Sequence, residues 1–106
     1  MSTTVRDNPE ENRFEILVDD TVAGFAEYRL SPDRIAFTHT EVGPDYSGRG
    51  LAGELVSTAL DEVKGRGLAV LPFCPFVRKY IDTHQDDYLA LVPADQRDKF
   101  GLPAAE

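Results

Sequence analysis

The stretch TEVGPDYSGRGLA (residues 40–52) joins an apolar, β-rich segment to a long amphipathic segment through two glycines, Gly48 and Gly50. At the start of a helix the first backbone N–H groups have no intrahelical partner, and a glycine lets an anion approach them without a Cβ in the way. We therefore expect this stretch to turn from a strand into a helix and to form a cradle for a phosphate group.

Three segments with strand character precede the glycines. Residues 14–18 and 22–30 carry apolar side chains in alternation and are separated by a short polar turn, and residues 34–42 follow a second turn. This pattern predicts a three-stranded antiparallel meander, in which Ile35 and Phe37 share one face. Residues 1–12 are polar and unpatterned, which predicts a flexible N-terminal tail.

The period of the apolar residues changes after the glycines. A stripe at helical spacing (Ala52, Leu55, Val56, Ala59, Leu60 and Val63) predicts a helix packed against the sheet, and the apolar run 68–71 predicts a buried strand parallel to the last strand of the meander. A second short helix is expected from Pro75, with Cys74 at its cap. Residues 94–106 are expected to form a polar tail. The predicted fold is α+β, with one domain over residues 13–93.

Composition limits the function classes. The chain has 106 residues and a net charge of −8, which argues against a nucleic-acid binder and suits a cationic substrate, although acidic residues also serve solubility. A single cysteine excludes a disulfide framework and a multi-cysteine zinc site, so no metal is predicted. No apolar run approaches the roughly 20 residues that cross a bilayer, and the N-terminus does not look like a signal peptide. We expect a cytoplasmic protein without a membrane partner.

The order of these elements resembles the GNAT acyl-CoA N-acetyltransferases, whose pyrophosphate loop reads Gln/Arg-x-x-Gly-x-Gly/Ala. In SGRGLA (residues 47–52), Gly50 and Ala52 fit this pattern, whereas Ser47 stands where Gln or Arg is usual. The blocks HTEV (residues 39–42) and CPFVRKYI (residues 74–81) resemble a minimal, stand-alone GNAT subfamily that lacks the N-terminal helices of the superfamily. The resemblance runs from about residue 14 to residue 92.

The resemblance implies that acetyl-CoA is the cosubstrate and that an amine of a small molecule or a protein lysine accepts the acetyl group. It places the pantetheine arm along the strand and the pyrophosphate on the loop amides; the implied cofactor-binding residues are Glu41, Val42, Gly48, Arg49, Gly50, Leu51, Ala52 and Gly53. Two other interpretations stay open. The glycines can form a plain turn, and the domain can be a CoA-binding sensor or interaction module without transferase activity. A mononucleotide binder is disfavoured because the loop lacks Gly-Lys-Ser/Thr.

Cys74 is the most distinctive candidate for chemistry. It precedes a helix whose N–H groups and dipole, together with Arg78 and Lys79 one turn later, favour a reactive thiol. The resemblance places it near the CoA sulfur, which permits an acyl-cysteine intermediate as well as direct transfer. The alternative is that Cys74 is a small buried hydrophobe.

His39 and Tyr80 are the other two catalytic candidates. His39 lies two residues before Glu41 in a strand, so the pair can form a base and its orienting carboxylate. Its expected position on the face of Phe37 favours a structural role instead. Tyr80 resembles the tyrosine with which many GNAT enzymes protonate the leaving thiolate, but a tyrosine at helical spacing also suits a core.

Overall fold

The computed structural model describes residues 2–46 and 48–103. These residues form one mixed sheet with helices, in the chain order β1 (Thr3–Asn8), β2 (Arg13–Val18), β3 (Thr21–Leu30), β4 (Arg34–Val42), α1 (Leu51–Gly65), β5 (Ala69–Pro72), α2 (Pro75–Thr83) and α3 (Gln85–Tyr88). Single 3₁₀ turns lie at Pro44–Tyr46, Leu89–Leu91 and Ala94–Gln96. No helix in the described part of the chain combines the length and the apolar content that crossing a membrane requires.

The strands follow one another in the sheet in the order β1-β2-β3-β4-β5. The first four are antiparallel neighbours, and β5 pairs in parallel with β4 after the crossover through α1. The predicted α+β fold, with its meander, crossover helix and parallel strand, is therefore confirmed.

Helix α1 covers one face of the sheet. Its buried side chains recur at helical spacing and join the inward-facing residues of the strands in a single core (from α1: Leu51, Leu55, Val56, Ala59, Leu60 and Val63). The helix ends at Gly65, and Gly67 follows with a φ of +73°, a left-handed conformation that glycine adopts without strain. We call the opposite side of the sheet, which α1 does not cover, the outer face.

The N-terminal segment differs from the prediction. Residues 1–12 were expected to form a flexible tail, but Thr3–Asn8 pair with β2 along their whole length as the edge strand of the sheet. Strand pairing uses backbone groups, so β1 needs no apolar alternation of its own. The side chain of Val5 also packs against the core.

Two polar clusters fasten β1 to the sheet. Glu15, which is 1% exposed, accepts hydrogen bonds from Arg6 (2.9 Å), Arg13 (2.7 Å) and Asn8 (3.3 Å). Burial by itself would raise the pKa of Glu15, but these hydrogen bonds outweigh it and hold the pKa below its ordinary value. The carboxylate is therefore ionised at neutral pH and stabilises the pairing of β1 with β2.

The second cluster lies on the inner side of β1. The Tyr28 hydroxyl donates a hydrogen bond of 2.6 Å to Asp7, and Arg66, just after α1, donates one of 2.9 Å to the same carboxylate. Burial and the neighbouring Asp7 raise the pKa of Tyr28. The phenol thus remains a hydrogen-bond donor and joins β1, β3 and the end of α1.

The C-terminal segment also differs from the prediction of a polar tail over residues 94–106. Phe100 and Leu102 are buried in the core, and the Phe100 ring meets the Phe73 ring edge-on at 5.0 Å. Arg97 donates hydrogen bonds to the carbonyls of Val92 and Leu89 and holds the segment in place. Two isolated apolar residues in a polar sequence give no period from which burial could be predicted.

A β-bulge interrupts the pairing of β3 with β4. Glu27 lies opposite His39 and Tyr28 lies opposite Phe37, so Thr38 has no partner residue on β3. One extra residue on a strand shifts the alternation of its side chains between the two faces. The residues of β4 after Thr38 are therefore in the opposite phase to those before it.

The bulge overturns the expectation that His39 shares a face with Ile35 and Phe37. Those two residues are buried, whereas the side chain of His39 is 57% exposed and that of Glu41 is 62% exposed, both on the outer face. Thr40 and Val42 turn inward instead, and Val42 packs against the core.

Candidate functional site

The sheet opens between β4 and the chain that follows β5. The last pair of the parallel ladder is Phe37 with Pro72, and the Cys74 N–H then donates a hydrogen bond of 2.8 Å to the Phe37 carbonyl. Beyond this point β4 continues to Val42, while the neighbouring chain leaves the sheet and enters α2. We call the opening between residues 40–42 of β4 and Cys74 at the start of α2 the gap.

Backbone groups of β4 line the gap. The Gly43 N–H donates to the Ala23 carbonyl (2.8 Å), so Gly43 and Ala23 form a hydrogen-bonded pair. In an antiparallel ladder such pairs alternate with pairs whose N–H and C=O groups point away from each other. Val42 and Thr40 therefore direct their backbone groups away from β3 and into the gap, where no described strand pairs with them.

The thiol of Cys74 lies beside this strand edge. Cys74 is the N-cap residue of α2 and is followed by Pro75 at the first helical position, as predicted. The residue is 2% exposed, and its Sγ donates a hydrogen bond of 3.3 Å to Oγ1 of Thr40. The structure thus brings the single cysteine to the inner side of the gap.

The glycine loop leads from the end of β4 into α1. Gly48 has a φ of +79° and Gly50 has a φ of +73°, and a Cβ built on either residue would meet no heavy atom within 4 Å. Gly50 is the N-cap of α1, so the N–H groups of the first turn (Leu51, Ala52 and Gly53) have no intrahelical acceptors. Open space therefore adjoins N–H donors without intrahelical acceptors at the positive end of a helix, as an anionic diphosphate requires.

Two further residues belong to this loop. The Arg49 guanidinium lies 5.5 Å from the centroid of the Tyr46 ring. Ser47, which stands where the family pattern has Gln or Arg, lies outside the described residues.

Tyr80 lies at the glycine-loop end of the structure. A Cβ built on Gly53 would lie 4.0 Å from Cε2 of Tyr80, so the ring faces the first turn of α1. Cys74 is six residues earlier, which corresponds to about 9 Å along a helix axis. The ring of Tyr80 stacks on the ring of His84, with centroids 4.1 Å apart and planes 14° apart.

His39 and Glu41 lie on the other side of the sheet from Cys74. Their closest side-chain atoms, Nε2 of His39 and Oε2 of Glu41, are 3.9 Å apart, and the Phe25 ring centroid lies 6.2 Å from that of His39. Glu41 directs its backbone toward Phe25 on β3 rather than into the gap. Among the strand residues expected to contact a cofactor, Val42 faces the gap and Glu41 does not.

Sequence reasoning missed Thr40 as a site residue. Its side chain accepts the Cys74 hydrogen bond and its backbone lines the gap, yet regular alternation from Phe37 would have placed it on the outer face. Only the unpaired Thr38 reveals the change of phase. The described residues hold no group of three or more His, Cys, Asp or Glu side chains able to bind a metal ion.

Comparisons with known proteins agree with this geometry. A family model described as GCN5-related N-acetyl-transferase matches residues 13–91. No curated protein matches the chain. Among solved structures, the ribosomal-protein-S18-alanine N-acetyltransferase of Escherichia coli is 29% identical with a TM-score of 0.52, over 55% of this chain and 38% of that one.

Two other solved structures share the fold. A putative GNAT-family acetyltransferase of Desulfovibrio desulfuricans is 22% identical (TM-score 0.50; 57% of this chain and 41% of that one). A ribosomal-protein-alanine N-acetyltransferase of Brucella melitensis biovar Abortus is 19% identical (TM-score 0.53; 72% and 61%). The chain thus spans from about two fifths to three fifths of the length of these proteins.

Proposed function

The chain belongs to the GCN5-related N-acetyltransferase family, and we propose that it binds acetyl-CoA and transfers the acetyl group to an amine. The observation that carries the proposal is the gap and its continuation into the glycine loop. Three features line this path: the edge of β4, where no described strand pairs with the backbone groups, the thiol of Cys74, and the start of α1 behind two open glycines. A long ligand with amide groups and a diphosphate has matching partners along this path.

In the proposed complex, the backbone of Thr40 and Val42 hydrogen-bonds the amides of the pantetheine arm. The N–H groups of Leu51 to Gly53 bind the pyrophosphate, and the absence of side chains at Gly48 and Gly50 lets it come close. Arg49 adds a charge-assisted contact. The free edge of β4 and the left-handed glycines support these assignments.

Acetyl-CoA supplies an activated thioester. The amine nitrogen attacks the carbonyl carbon, a C–N bond forms, the C–S bond breaks, and the CoA sulfur leaves as a thiolate. A base must take the surplus proton of the amine, and such a base contributes about 10²–10⁴-fold to a rate. We assign this role to His39, which is exposed on the outer face beside the gap, and Glu41 at 3.9 Å would stabilise the imidazolium.

Cys74 offers a second route. Its sulfur can attack the acetyl carbonyl while the thiol proton passes to the departing CoA sulfur, and it then holds the acetyl group as a thioester until the amine takes it. The hydrogen bond to Thr40 aims the sulfur toward the strand edge along which the pantetheine would lie. Direct transfer and transfer through Cys74 use the same cofactor position.

The acceptor is proposed to be a cationic amine, on a small molecule or on a protein lysine. The net charge of −8 favours the approach of cations over anions. This long-range effect does not select one amine.

The test combines calorimetric titration of CoA and acetyl-CoA with an assay of CoA release over a panel of amines. CoA binding together with amine-dependent release supports the transferase, whereas binding without release from any amine favours the CoA-binding module. The absence of CoA binding overturns both. Intact-mass measurement of the wild type and of Cys74→Ala after incubation with acetyl-CoA separates the routes, because only the cysteine route gives an acetyl adduct that the variant lacks.

A further inference from the structure

A line of side chains crosses the outer face from β1 to β4. Arg6, Glu15, Phe25 and Glu41 lie directly opposite one another on successive strands, so their side chains share this face. Because α1 packs on the other side of the sheet, each side chain here is positioned by its neighbours within the sheet. The contacts of Phe25, the aromatic member of the line, bear on His39.

Arg13 fixes one side of the Phe25 ring. Its guanidinium makes two contacts of 2.7 Å with Oε2 of Glu15, whose side chain is 2% exposed. A charge-assisted hydrogen bond to a buried carboxylate is strong and is little screened by salt. The guanidinium carbon lies 4.7 Å from the centroid of the Phe25 ring, within the distance of a cation–π interaction. The group that packs on the ring is therefore itself held in place.

His39 lies on the other side of the same ring. Arg13 belongs to β2 and His39 to β4, and Phe25 on β3 lies between them. The ring centroids of Phe25 and His39 are 6.2 Å apart and the ring planes are tilted by 60°, which is within the range of attractive aromatic pairs. Glu41 approaches the imidazole from its own strand at 3.9 Å. The ring of His39 is therefore flanked by Phe25 and Glu41.

These two neighbours matter because His39 is exposed. A side chain that is 57% exposed can change its χ1 rotamer within nanoseconds unless a neighbour restrains it. A general base acts only when its nitrogen comes within about 2.6–3.2 Å of the atom that carries the proton. Each rotamer that turns the imidazole away from the gap removes the base from the reaction. A wall beside the ring therefore raises the fraction of time for which the base is in place.

We propose that Phe25 is a positioning residue, whose ring, held by Arg13, keeps the imidazole of His39 beside the gap. The proposal rests on the proposed function, in which His39 takes the proton of the amine. Phe25 acts through His39 and not on the reacting atoms. The buried Glu15 thus contributes twice, because it fastens β1 to the sheet and also fixes the Arg13 side chain behind the ring.

The position of the imidazole is measured by NMR on the full chain. The chain contains two histidines, so the spectrum of His39→Gln assigns the ring signals of His39. We expect a nuclear Overhauser effect between the rings of Phe25 and His39, and Hα–Hβ couplings of His39 that correspond to one χ1 rotamer. In Phe25→Leu the couplings should average, whereas Phe25→Tyr, which keeps the ring, should leave them unchanged. The control Leu30→Ala, at an exposed residue later in β3, should also leave them unchanged.

The contribution to turnover is measured as CoA release at saturating acetyl-CoA. The acceptor is whichever of phenethylamine, cadaverine and a lysine-containing peptide the wild type acetylates fastest. Phe25→Leu should lower kcat by about threefold to tenfold, the factor that corresponds to one aromatic contact, and should leave the KM for acetyl-CoA unchanged. Phe25→Tyr should keep the kcat of the wild type. In a His39→Gln background Phe25→Leu should have no further effect, because the base that it positions is absent.

The outcomes that overturn the proposal can be told apart. Averaged His39 couplings in the wild type would show that Phe25 does not hold the ring. An unchanged kcat in Phe25→Leu, or an equal loss in the wild-type and His39→Gln backgrounds, would refute the positioning role and leave the proposed function intact. A wild type that releases CoA with none of the amines would refute the transfer reaction itself, and this proposal with it. Circular dichroism shows whether each variant is folded.

Discussion

Gly50 and Gly67 form a matched pair for testing the glycine loop. Both have a φ of +73°, and a Cβ on either would meet no heavy atom within 4 Å. Replacing either by alanine places an L-residue in the left-handed region, which costs about 1–2 kcal/mol. For a domain of this size, each kcal/mol lowers the melting temperature by roughly 4–8 °C. Gly50→Ala and Gly67→Ala should therefore lose similar stability.

Only one of the two glycines adjoins the proposed cofactor. Gly50 precedes the N–H groups of the first turn of α1, which lack intrahelical acceptors, whereas Gly67 follows the C-terminal end of the same helix. A methyl group at Gly50 would occupy the space through which a pyrophosphate approaches these donors. Loss of one charge-assisted hydrogen bond is worth about 1.5–3 kcal/mol, which corresponds to a CoA affinity lower by about tenfold or more.

The assay is thermal unfolding of both variants followed by calorimetric titration with CoA. We expect two equally destabilised proteins, of which Gly67→Ala binds CoA as the wild type does and Gly50→Ala binds at least tenfold more weakly. If both variants bind CoA as the wild type does, the assignment of the loop to the pyrophosphate is refuted. If both lose the same amount of CoA affinity, CoA binding follows stability alone.

Three further predictions concern the parts of the fold that the sequence did not reveal. Glu15→Gln should lower the free energy of unfolding, measured with urea, by about 1–3 kcal/mol at pH 7. Because the pKa of Glu15 is lowered in the folded state, this difference from the wild type should shrink as the pH falls below the ordinary glutamate pKa of about 4.3 toward 3. A difference that stays constant over this range would contradict the prediction. Tyr28→Phe, which loses the 2.6 Å bond to Asp7, should lower the urea midpoint at pH 7 by an amount equivalent to about 1–2 kcal/mol, whereas an unchanged midpoint would show that the bond adds nothing. Leu102→Ala should cost about 2–4 kcal/mol in the same assay because Leu102 is 5% exposed, and no loss would mean that this segment is the loose tail that its sequence suggested.

The predictable parts of this fold are those in which the signal is local. The stripe from Leu55 to Val63 repeats at helical spacing, and Pro75 after Cys74 marks a helix start; both elements lie where the sequence placed them. Helix α1 begins at Leu51, directly after the two left-handed glycines at which the sequence indicated a change from strand to helix. Each of these features is determined by neighbours within a few residues.

The parts that were missed depend on distant partners. Strand β1 forms because its backbone pairs with β2. Its polar side chains can form their hydrogen bonds with Glu15 and Tyr28 only once the sheet has formed. Leu102 is buried by a core assembled from earlier segments. The spacing of apolar residues reveals neither an edge strand that is held by hydrogen bonds nor an isolated apolar residue that is buried.

The bulge at Thr38, which the sequence did not reveal, also bears on the proposed function. With Thr38 present, Phe37 and Thr40 both face inward, three positions apart. Deleting Thr38 would make them two positions apart, as regular alternation requires, so every other residue of β4 would keep its face. The deletion therefore removes the bulge without moving any apolar side chain into water.

A bulge bends its strand and increases the local twist, and β4 leaves the parallel ladder immediately beyond Phe37. Without the extra residue, β4 should run straight beside the chain around Cys74 and close the gap. We expect the Thr38 deletion to fold with a melting temperature within a few degrees of the wild type and to lose CoA binding more than tenfold, whereas Thr38→Ala, which keeps the residue count, should bind normally. A folded deletion variant with normal CoA affinity would show that the gap does not depend on the bulge, and its cause would then have to lie in the turn at Cys74 and Pro75.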